Sequence, residues 1–319
     1  MREAPADLAL GDVLAALREG WGVRTGAATF LPVGAGSYHW SVAGHFVKVD
    51  ALEGDAAFDR LRRSLETAAA LRLDFVLAPI RGAGGQVVRR LDDRYAVSVY
   101  PLLNGESGVF GPHPAADRLR VVSMLAELHG VVAPHAPRTD LRLPGREGLE
   151  AALRDADREW TAGPYAEAAR RVLVSNVGTI ESWLAEFDRL AAVVGADPTA
   201  WVVTHGEPHP GNFLRTGAGT LLIDWDTVRV APPERDLWML TSGFADMLNE
   251  KPRGDDDAVL GRYRELTGRQ VSAEGLAFYR RWWVLADVAV FADELRQPHR
   301  ENADLAASLT YLTGYLRSR

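Results

Sequence analysis

The sequence predicts an α+β protein in which a small antiparallel β-sheet lobe with one helix precedes a large, mainly helical lobe. Three observations predict it. Residues 27–50 read as strands broken by glycine turns, 86–100 read as a further strand pair, and almost everything after Pro114 has helical spacing. One strand-rich stretch, 201–230, interrupts the helices. Chain order then gives 1–100 as the N-terminal lobe, expected to bind a nucleotide, 101–105 as a hinge and 106–319 as the helical lobe.

The first element, 7–18, spaces Leu8, Val13, Leu14 and Leu17 as a helix, which Gly20 and Gly22 stop. Three antiparallel strands fit 27–50, with turns at Gly34, Ala35 and Gly36 and at Gly44. Lys48 falls between Val47 and Val49 on the third, so its side chain points to the face opposite theirs. In 55–72 Phe58, Leu61, Leu65 and Ala69 share one helical face. Pro79 and the glycines of 82–85 separate this helix from strands over 86–91 and 95–100, joined at Asp92 and Asp93. The turn formers P-L-L-N-G-E-S-G follow as the hinge. Helices are predicted over 115–129, 147–157, 164–174, 178–194, 236–249, 255–266, 273–296 and 303–317.

At 319 residues, 47% hydrophobic and 25% charged, the chain suits two lobes with a substantial core and is neither disordered nor fibrous. Its 36 basic and 43 acidic residues give a net charge of -7, which argues against nucleic acid as a partner and suits a cationic small molecule. Cysteine is absent, which excludes disulfides, thiolate metal sites and a cysteine nucleophile and fits a cytoplasmic protein. No apolar run is long enough to span a bilayer, so no membrane partner is expected. The expected assembly is a monomer or homodimer. Only two of the basic residues are lysines, Lys48 and Lys251, so a lysine on a strand calls for a specific reason.

The chemistry concentrates between Trp201 and Asp236, in W-V-V-T-H-G-E-P-H-P-G-N-F-L, then L-L-I-D-W-D, then A-P-P-E-R-D. Glu207, Asn212 five residues on, and Asp224 at the end of an apolar run form the set with which phosphoryl-transfer enzymes orient a hydroxyl and hold Mg²⁺. Glu207 is the expected catalytic carboxylate; Asn212 and Asp224 are the expected metal ligands. Asp226 reaches the acceptor or caps the following turn, and Asp236 is expected as a helix N-cap. His205 is expected to bond backbone carbonyls around the loop. His205 and His209 flank Glu207, but zinc needs H-E-x-x-H on a helix, which Gly206, Pro208, Pro210 and Gly211 forbid. No G-x-S-x-G elbow occurs, so a serine hydrolase is not supported.

The N-terminal lobe supplies the complement. Gly34, Gly36 and Ser37 form a turn whose N–H groups can approach a phosphate, although a plain hairpin turn reads equally well. Lys48, twelve residues after Gly36, suits α- and β-phosphates. Glu66, in the helix, would hold that ammonium, with Asp59 as the alternative; otherwise Glu66 pairs with Arg62 or Arg63 at helical spacing. Tyr100, Leu102 and Leu103 at the hinge would hold adenine through backbone groups.

T-H-G-E-P-H-P-G-N-F-L followed by L-I-D-W-D resembles the H-G-D-x-H-x-x-N and I-D-W/F-D motifs of the aminoglycoside phosphotransferase and choline kinase family. The resemblance implies a protein-kinase-like two-lobe fold, ATP and Mg²⁺, and transfer of the γ-phosphate to a small-molecule hydroxyl. The C-terminal W-W-V-L-A-D-V-A resembles bacterial antibiotic phosphotransferases most, which implies an aminoglycoside-like acceptor. Carboxylates for such a polycation are sought in Asp226, Asp246, Asp287, Asp293 and Glu294. Where the family has Asp, this chain has Glu207, one methylene longer. A choline or methylthioribose type kinase and a nucleotide-binding pseudokinase are the alternative expectations. A protein acceptor is disfavoured, because only eleven residues separate Asp224 from Asp236.

Overall fold

The computed structural model describes residues 3–24, 26–34, 36–252 and 254–317; Ala35 of the expected glycine turn lies outside the described residues. The chain packs as two compact units. One comprises Met1–Gly111, Ser123–Arg138 and Val202–Ala231, the other Pro112–Val122, Thr139–Trp201 and Pro232–Arg319. Packing therefore divides the chain differently from chain order. Backbone pairing is the reason: Leu222 donates to the Phe75 carbonyl at 2.7 Å and accepts from Leu77 at 3.1 Å, tying the 201–230 stretch to the N-terminal segment.

In the first unit α1 (Leu10–Trp21) precedes β1 (Ala28–Leu31), β2 (Ser37–Val42), β3 (His45–Ala51), α2 (Asp55–Ala70), β4 (Val88–Arg90) and β5 (Tyr95–Pro101). The five strands form one sheet in the order β1-β2-β3-β5-β4, each neighbouring pair antiparallel. Ala43 and Gly44 join β2 to β3 at φ 47° and 77°, the twist that a two-residue hairpin needs. Strand alternation sorts the faces. Trp40, Val42, Val47, Val49, Val97 and Val99 meet Val13, Ala16 and Leu17 of α1 in one buried cluster. Burying each such aliphatic side chain contributes about 1.5–3 kcal/mol. Residues one place out of phase, Ser37, His39, Lys48, Asp50, Ser98 and Tyr100, face the other way, and Leu61 and Leu65 of α2 cover part of that face against Val88 and Ala96.

The predicted strand-rich stretch becomes four short strands. After β6 (Gly105–Ser107) and α3 (Ala115–His129), β7 (Val202–Thr204) leads to β8 (Phe213–Thr216), β9 (Gly219–Leu222) and β10 (Arg229–Ala231). β8 pairs with both β6 and β9, and β7 pairs with β10.

The second unit contains α4 (Arg146–Arg154), α5 (Ala166–Val174), α6 (Val177–Val194), α7 (Glu234–Leu237), α8 (Ser242–Met247), α9 (Asp256–Thr267), α10 (Ala273–Arg296) and α11 (Ala303–Arg317). α10 supplies its core, stacking Phe278 on Phe187 of α6 at 5.2 Å. The single helix expected over 236–249 is divided. Thr241 is extended, its hydroxyl donates back to the Trp238 carbonyl at 2.7 Å, and the Asp256 carboxylate accepts from Ser242 N–H at 2.8 Å to start α8. Asp236 is not the expected N-cap: the helix begins earlier, after Pro232 and Pro233, and Asp236 lies buried inside α7. Among the described residues no helix is long and apolar enough to cross a membrane.

Candidate active site

β3 lies between β2 and β5, so ladder bonds on both sides fix the backbone at Lys48. The Lys48 ammonium stands 2.7 Å from Asp224 Oδ1, 2.7 Å from Asp226 Oδ2 and 3.3 Å from Asp50 Oδ1. Its side chain is buried. Burial by itself would lower the ammonium's pKa, but the three carboxylates outweigh it and hold the group well above the ordinary lysine value. Lys48 is therefore a fixed positive charge.

The partner expected on α2 is corrected by the geometry. Arg62 Nη1 donates to Glu66 Oε1 and Oε2 at 3.0 Å, and Arg62 Nη2 reaches Asp59 Oδ1 at 3.4 Å. Helical spacing sets both carboxylates beside Arg62 on the solvent side, 44% and 65% exposed, and neither reaches Lys48. α2 is attached instead through Ser64, whose buried hydroxyl donates to the Val228 carbonyl at 3.3 Å.

Asp224 follows β9 at φ 67°, ψ 66°, a left-handed conformation that strains a residue with a Cβ. The surrounding bonds hold it there. The Trp225 indole donates to the Leu222 carbonyl at 2.8 Å, His205 Nε2 donates to the Ile223 carbonyl at 2.9 Å, and the two rings meet edge to face at 4.7 Å. Burial works to raise the Asp224 carboxyl, yet the charge and hydrogen bond of Lys48 prevail and keep it below the usual range. At Asp226 burial prevails over Lys48 and, with the Asp224 charge, pushes the carboxyl up. Two carboxylates two residues apart are thus driven in opposite directions.

The loop between β7 and β8 is built to hold a shape. Gly206 takes φ 105°, open to glycine, and Pro210 starts a single 3₁₀ turn ending at Asn212. The Asn212 amide nitrogen donates to the Glu207 carbonyl at 2.9 Å, and the Asn212 carbonyl accepts from Ile223 N–H at 2.9 Å. The first bond clamps the loop on itself and the second ties it to the residue before Asp224. Because the Glu207 carbonyl can only accept, the amide presents nitrogen to it and keeps Oδ1 as its other, acceptor end.

Two cavities open on these groups and share Asp224. One, of about 450 Å³, has apolar walls from Leu31, Val33, Phe46, Leu77, Leu214 and Ile223, and also takes in Gly34, Lys48, Tyr100, Leu102, Leu103 and Asn212. The second, of about 380 Å³, is lined by Gly36, Ser37, Asp50, Arg60, Glu207, Asp226 and Arg229 among others. The expected nucleotide and metal residues, Glu66 excepted, thus divide between two adjoining cavities, and the expected catalytic Glu207 shares the second with Asp226. Volume and apolar lining of the first are those of a cofactor-sized site. At the hinge Leu102 N–H is engaged by the Gly44 carbonyl at 3.1 Å, so the backbone there is partly committed to the neighbouring hairpin. The Tyr100 ring is buried, which pushes its hydroxyl above the ordinary tyrosine range.

Asp287 and Glu294 lie on α10, in the second unit. Tyr315 OH donates to Asp287 Oδ2 at 2.7 Å and Ser308 Oγ to Glu294 Oε2 at 2.9 Å, both from α11. Burial pushes the Asp287 carboxyl up to about 6.

Sequence reasoning missed two residues. His39 stands opposite Lys48 in the sheet register, donates from Nδ1 to the Val33 carbonyl at 2.9 Å and stacks on Phe46 at 5.0 Å. Burial and the Lys48 charge lower its pKa, which keeps the ring neutral. Asp50 is the other, and the signal was available: in K-V-D the third residue shares the face of the first.

The residues present fit a divalent hard cation. Asp224 and the Asn212 amide oxygen are oxygen donors, and among the described residues no group of three or more His, Cys, Asp or Glu is arranged to hold a metal by itself. Mg²⁺ needs no such cage, since it keeps water and takes substrate phosphate oxygens beside one or two carboxylates.

Residues 55–282 match the phosphotransferase enzyme family. Protein StrN of Streptomyces griseus is 31% identical over 257 residues, 76% of this chain and 72% of StrN. Among solved structures, a spectinomycin phosphotransferase in complex with ADP and spectinomycin superposes with a TM-score of 0.72 at 18% identity, over 96% of this chain and 94% of that one. The choline kinase LicA of Streptococcus pneumoniae gives 0.54 at 16% identity, over 96% and 98%.

Proposed function

Because the chain belongs to the phosphotransferase enzyme family, we propose that it transfers the γ-phosphate of ATP to a hydroxyl of a small cationic molecule, an aminoglycoside-like antibiotic. The observation that carries this reading is the position of Asp224, common to an apolar cleft containing Lys48 and to the cavity containing Glu207. A nucleotide and an acceptor hydroxyl would meet there.

Each residue then has a role. The apolar walls take the base, the N–H groups at Gly34 and Gly36 and the Lys48 ammonium take phosphate oxygens, and Asn212 Oδ1 and Asp224 hold Mg²⁺. Bound Mg²⁺ supplies the positive charge that neutralises phosphate oxygens during transfer. Glu207 accepts the acceptor's hydroxyl proton while that oxygen bonds to phosphorus and the bond to the leaving ADP oxygen breaks. Asp226, Asp287 and Glu294 are proposed for the acceptor's ammonium groups. The acceptor class is supported by the likeness in fold to a spectinomycin phosphotransferase that binds ADP and spectinomycin.

Glu207 in place of the family's Asp keeps a pseudokinase in view. ATP turnover against a panel of aminoglycosides, choline and methylthioribose tests both readings, with Glu207→Gln and Asp224→Ala beside the wild type. The expected result is aminoglycoside phosphorylation by the wild type and a fall in kcat of about 10²–10⁴-fold in Glu207→Gln. A wild type that binds Mg-ATP and phosphorylates nothing in the panel defeats the enzyme reading; choline as sole acceptor replaces the antibiotic.

A further inference from the structure

We propose that Asp50, from the same strand as Lys48, is the residue that positions the Lys48 ammonium toward a nucleotide, and that Ser37 couples it to the glycine turn. This rests on the proposed nucleotide role of Lys48. A lysine ammonium has three N–H donors, and three carboxylates surround this one. Two of the three, Asp224 and Asp226, belong to the segment proposed to serve metal and acceptor, so their bonds to Lys48 compete with that work. Asp50 has no such second employment.

Its geometry suits a permanent partner. Asp50 follows Lys48 by two residues on a strand paired on both sides, so backbone pleating alone keeps the two side chains on one face. Ser37 pairs directly with Asp50 in the β2–β3 register, and its buried hydroxyl donates to Asp50 Oδ1 at 2.6 Å. That oxygen also faces Lys48 at 3.3 Å. Asp50 Oδ2 is buried with no hydrogen-bond partner. A carboxylate kept in the sheet with one oxygen unsatisfied depends on Lys48 for its charge balance, as Lys48 depends on it. Ser37 adjoins Gly36 at φ 79°, so a chain of contacts runs from the turn through Ser37 and Asp50 to the ammonium. The helix carboxylates Glu66 and Asp59 are held by Arg62 and take no part. Movement of α2 would therefore leave the lysine in place.

The test is titration of the full chain with AMP-PNP and Mg²⁺ by calorimetry, which separates affinity from the folded fraction. Asp50→Asn is expected to raise Kd by about tenfold through the loss of one buried ion pair, with stoichiometry unchanged and partial rescue in Asp50→Glu. Glu66→Gln is expected to bind like the wild type. Should Asp50→Asn fail to fold, Ser37→Ala carries the test, with a Kd raised about threefold to tenfold expected. Overturning results are a wild-type Kd in Asp50→Asn, a fall in stoichiometry alone, equal weakening by Glu66→Gln, or a wild-type Kd in Ser37→Ala where it stands in. Wild-type protein that binds AMP-PNP without phosphorylating any acceptor defeats the transfer reading and leaves this inference standing; wild-type protein that does not bind AMP-PNP defeats both.

Discussion

Asp224 and Asp226 in the first unit and Asp287 and Glu294 in the second are the same functional group with two kinds of partner. The first pair shares the buried Lys48 ammonium, with bonds of 2.7 Å to each. In the second pair, half-buried Asp287 and exposed Glu294, Tyr315 and Ser308 hydroxyls donate to the carboxylates. Burial opposes Lys48 at Asp224, yet the cation prevails and holds that carboxyl below the usual range; at Asp226 burial and the Asp224 charge outweigh the same cation, and at Asp287, where a hydroxyl donates, burial raises the carboxyl to about 6. Neither burial nor the partner decides by itself; the balance between them does.

Removing the cation should be the largest perturbation. Lys48→Met keeps the length and burial of the side chain and leaves Asp50, Asp224 and Asp226 facing one another without a positive charge. Breaking a buried pair by deleting one partner is expected to destabilise by on the order of 3 kcal/mol. Urea denaturation at pH 7 reads this directly. A Lys48→Met midpoint equal to that of wild type would mean that the two regimes do not differ and that solvent balances the first cluster.

The second regime yields an effect of opposite sign. The Asp287 carboxyl titrates at 3.8 when unperturbed and at about 6 when folded. Between those values the folded chain binds more protons than the unfolded one, so stability falls as pH rises through the window and the full loss persists above it. Asp287→Asn has nothing to ionise and can still accept from Tyr315. It should be more stable than the wild type by up to about 3 kcal/mol at pH 7, with the advantage disappearing below pH 4. Thermal unfolding followed across pH checks this; parallel curves for the two proteins would show that Asp287 ionises freely.

The two regimes were unequally legible beforehand. Lys48 stood out because the chain otherwise takes arginine, and Asp224 because it ends an apolar run. α10 and α11 fall on the residues expected, and each starts at a polar cap: Ser272 Oγ accepts from Gly275 N–H at 3.0 Å and Asn302 Oδ1 from Leu305 N–H at 2.8 Å. The partner of Lys48 was misjudged for a physical reason: Glu66 has two possible cations, and the one four residues away on its own helix needs no tertiary structure to be in reach. Asp50 is legible from strand alternation, two residues after Lys48. What no pattern shows is pairing at a distance. β8 is a strand because β6, more than a hundred residues earlier, lies beside it, and the helix at 236–249 divides because a threonine hydroxyl turns back on its own backbone.

A third carboxylate regime, in water, sets the lower end of the scale. Glu66 is 44% exposed beside an Arg62 that is 40% exposed, and the pair follows the i,i+4 pattern. Its two bonds at 3.0 Å are as short as many in the core. Solvent nevertheless screens the charges, and holding two long side chains in register costs entropy, so such pairs contribute about 0.3–0.5 kcal/mol. Glu66→Gln should lower the unfolding free energy from urea denaturation by no more than that, and raising the salt concentration should abolish even this difference. The same variant separates short distance from strong interaction: a loss approaching that of Lys48→Met would mean that α2 bears on the lysine centre through Glu66 after all, by way of a contact other than Arg62.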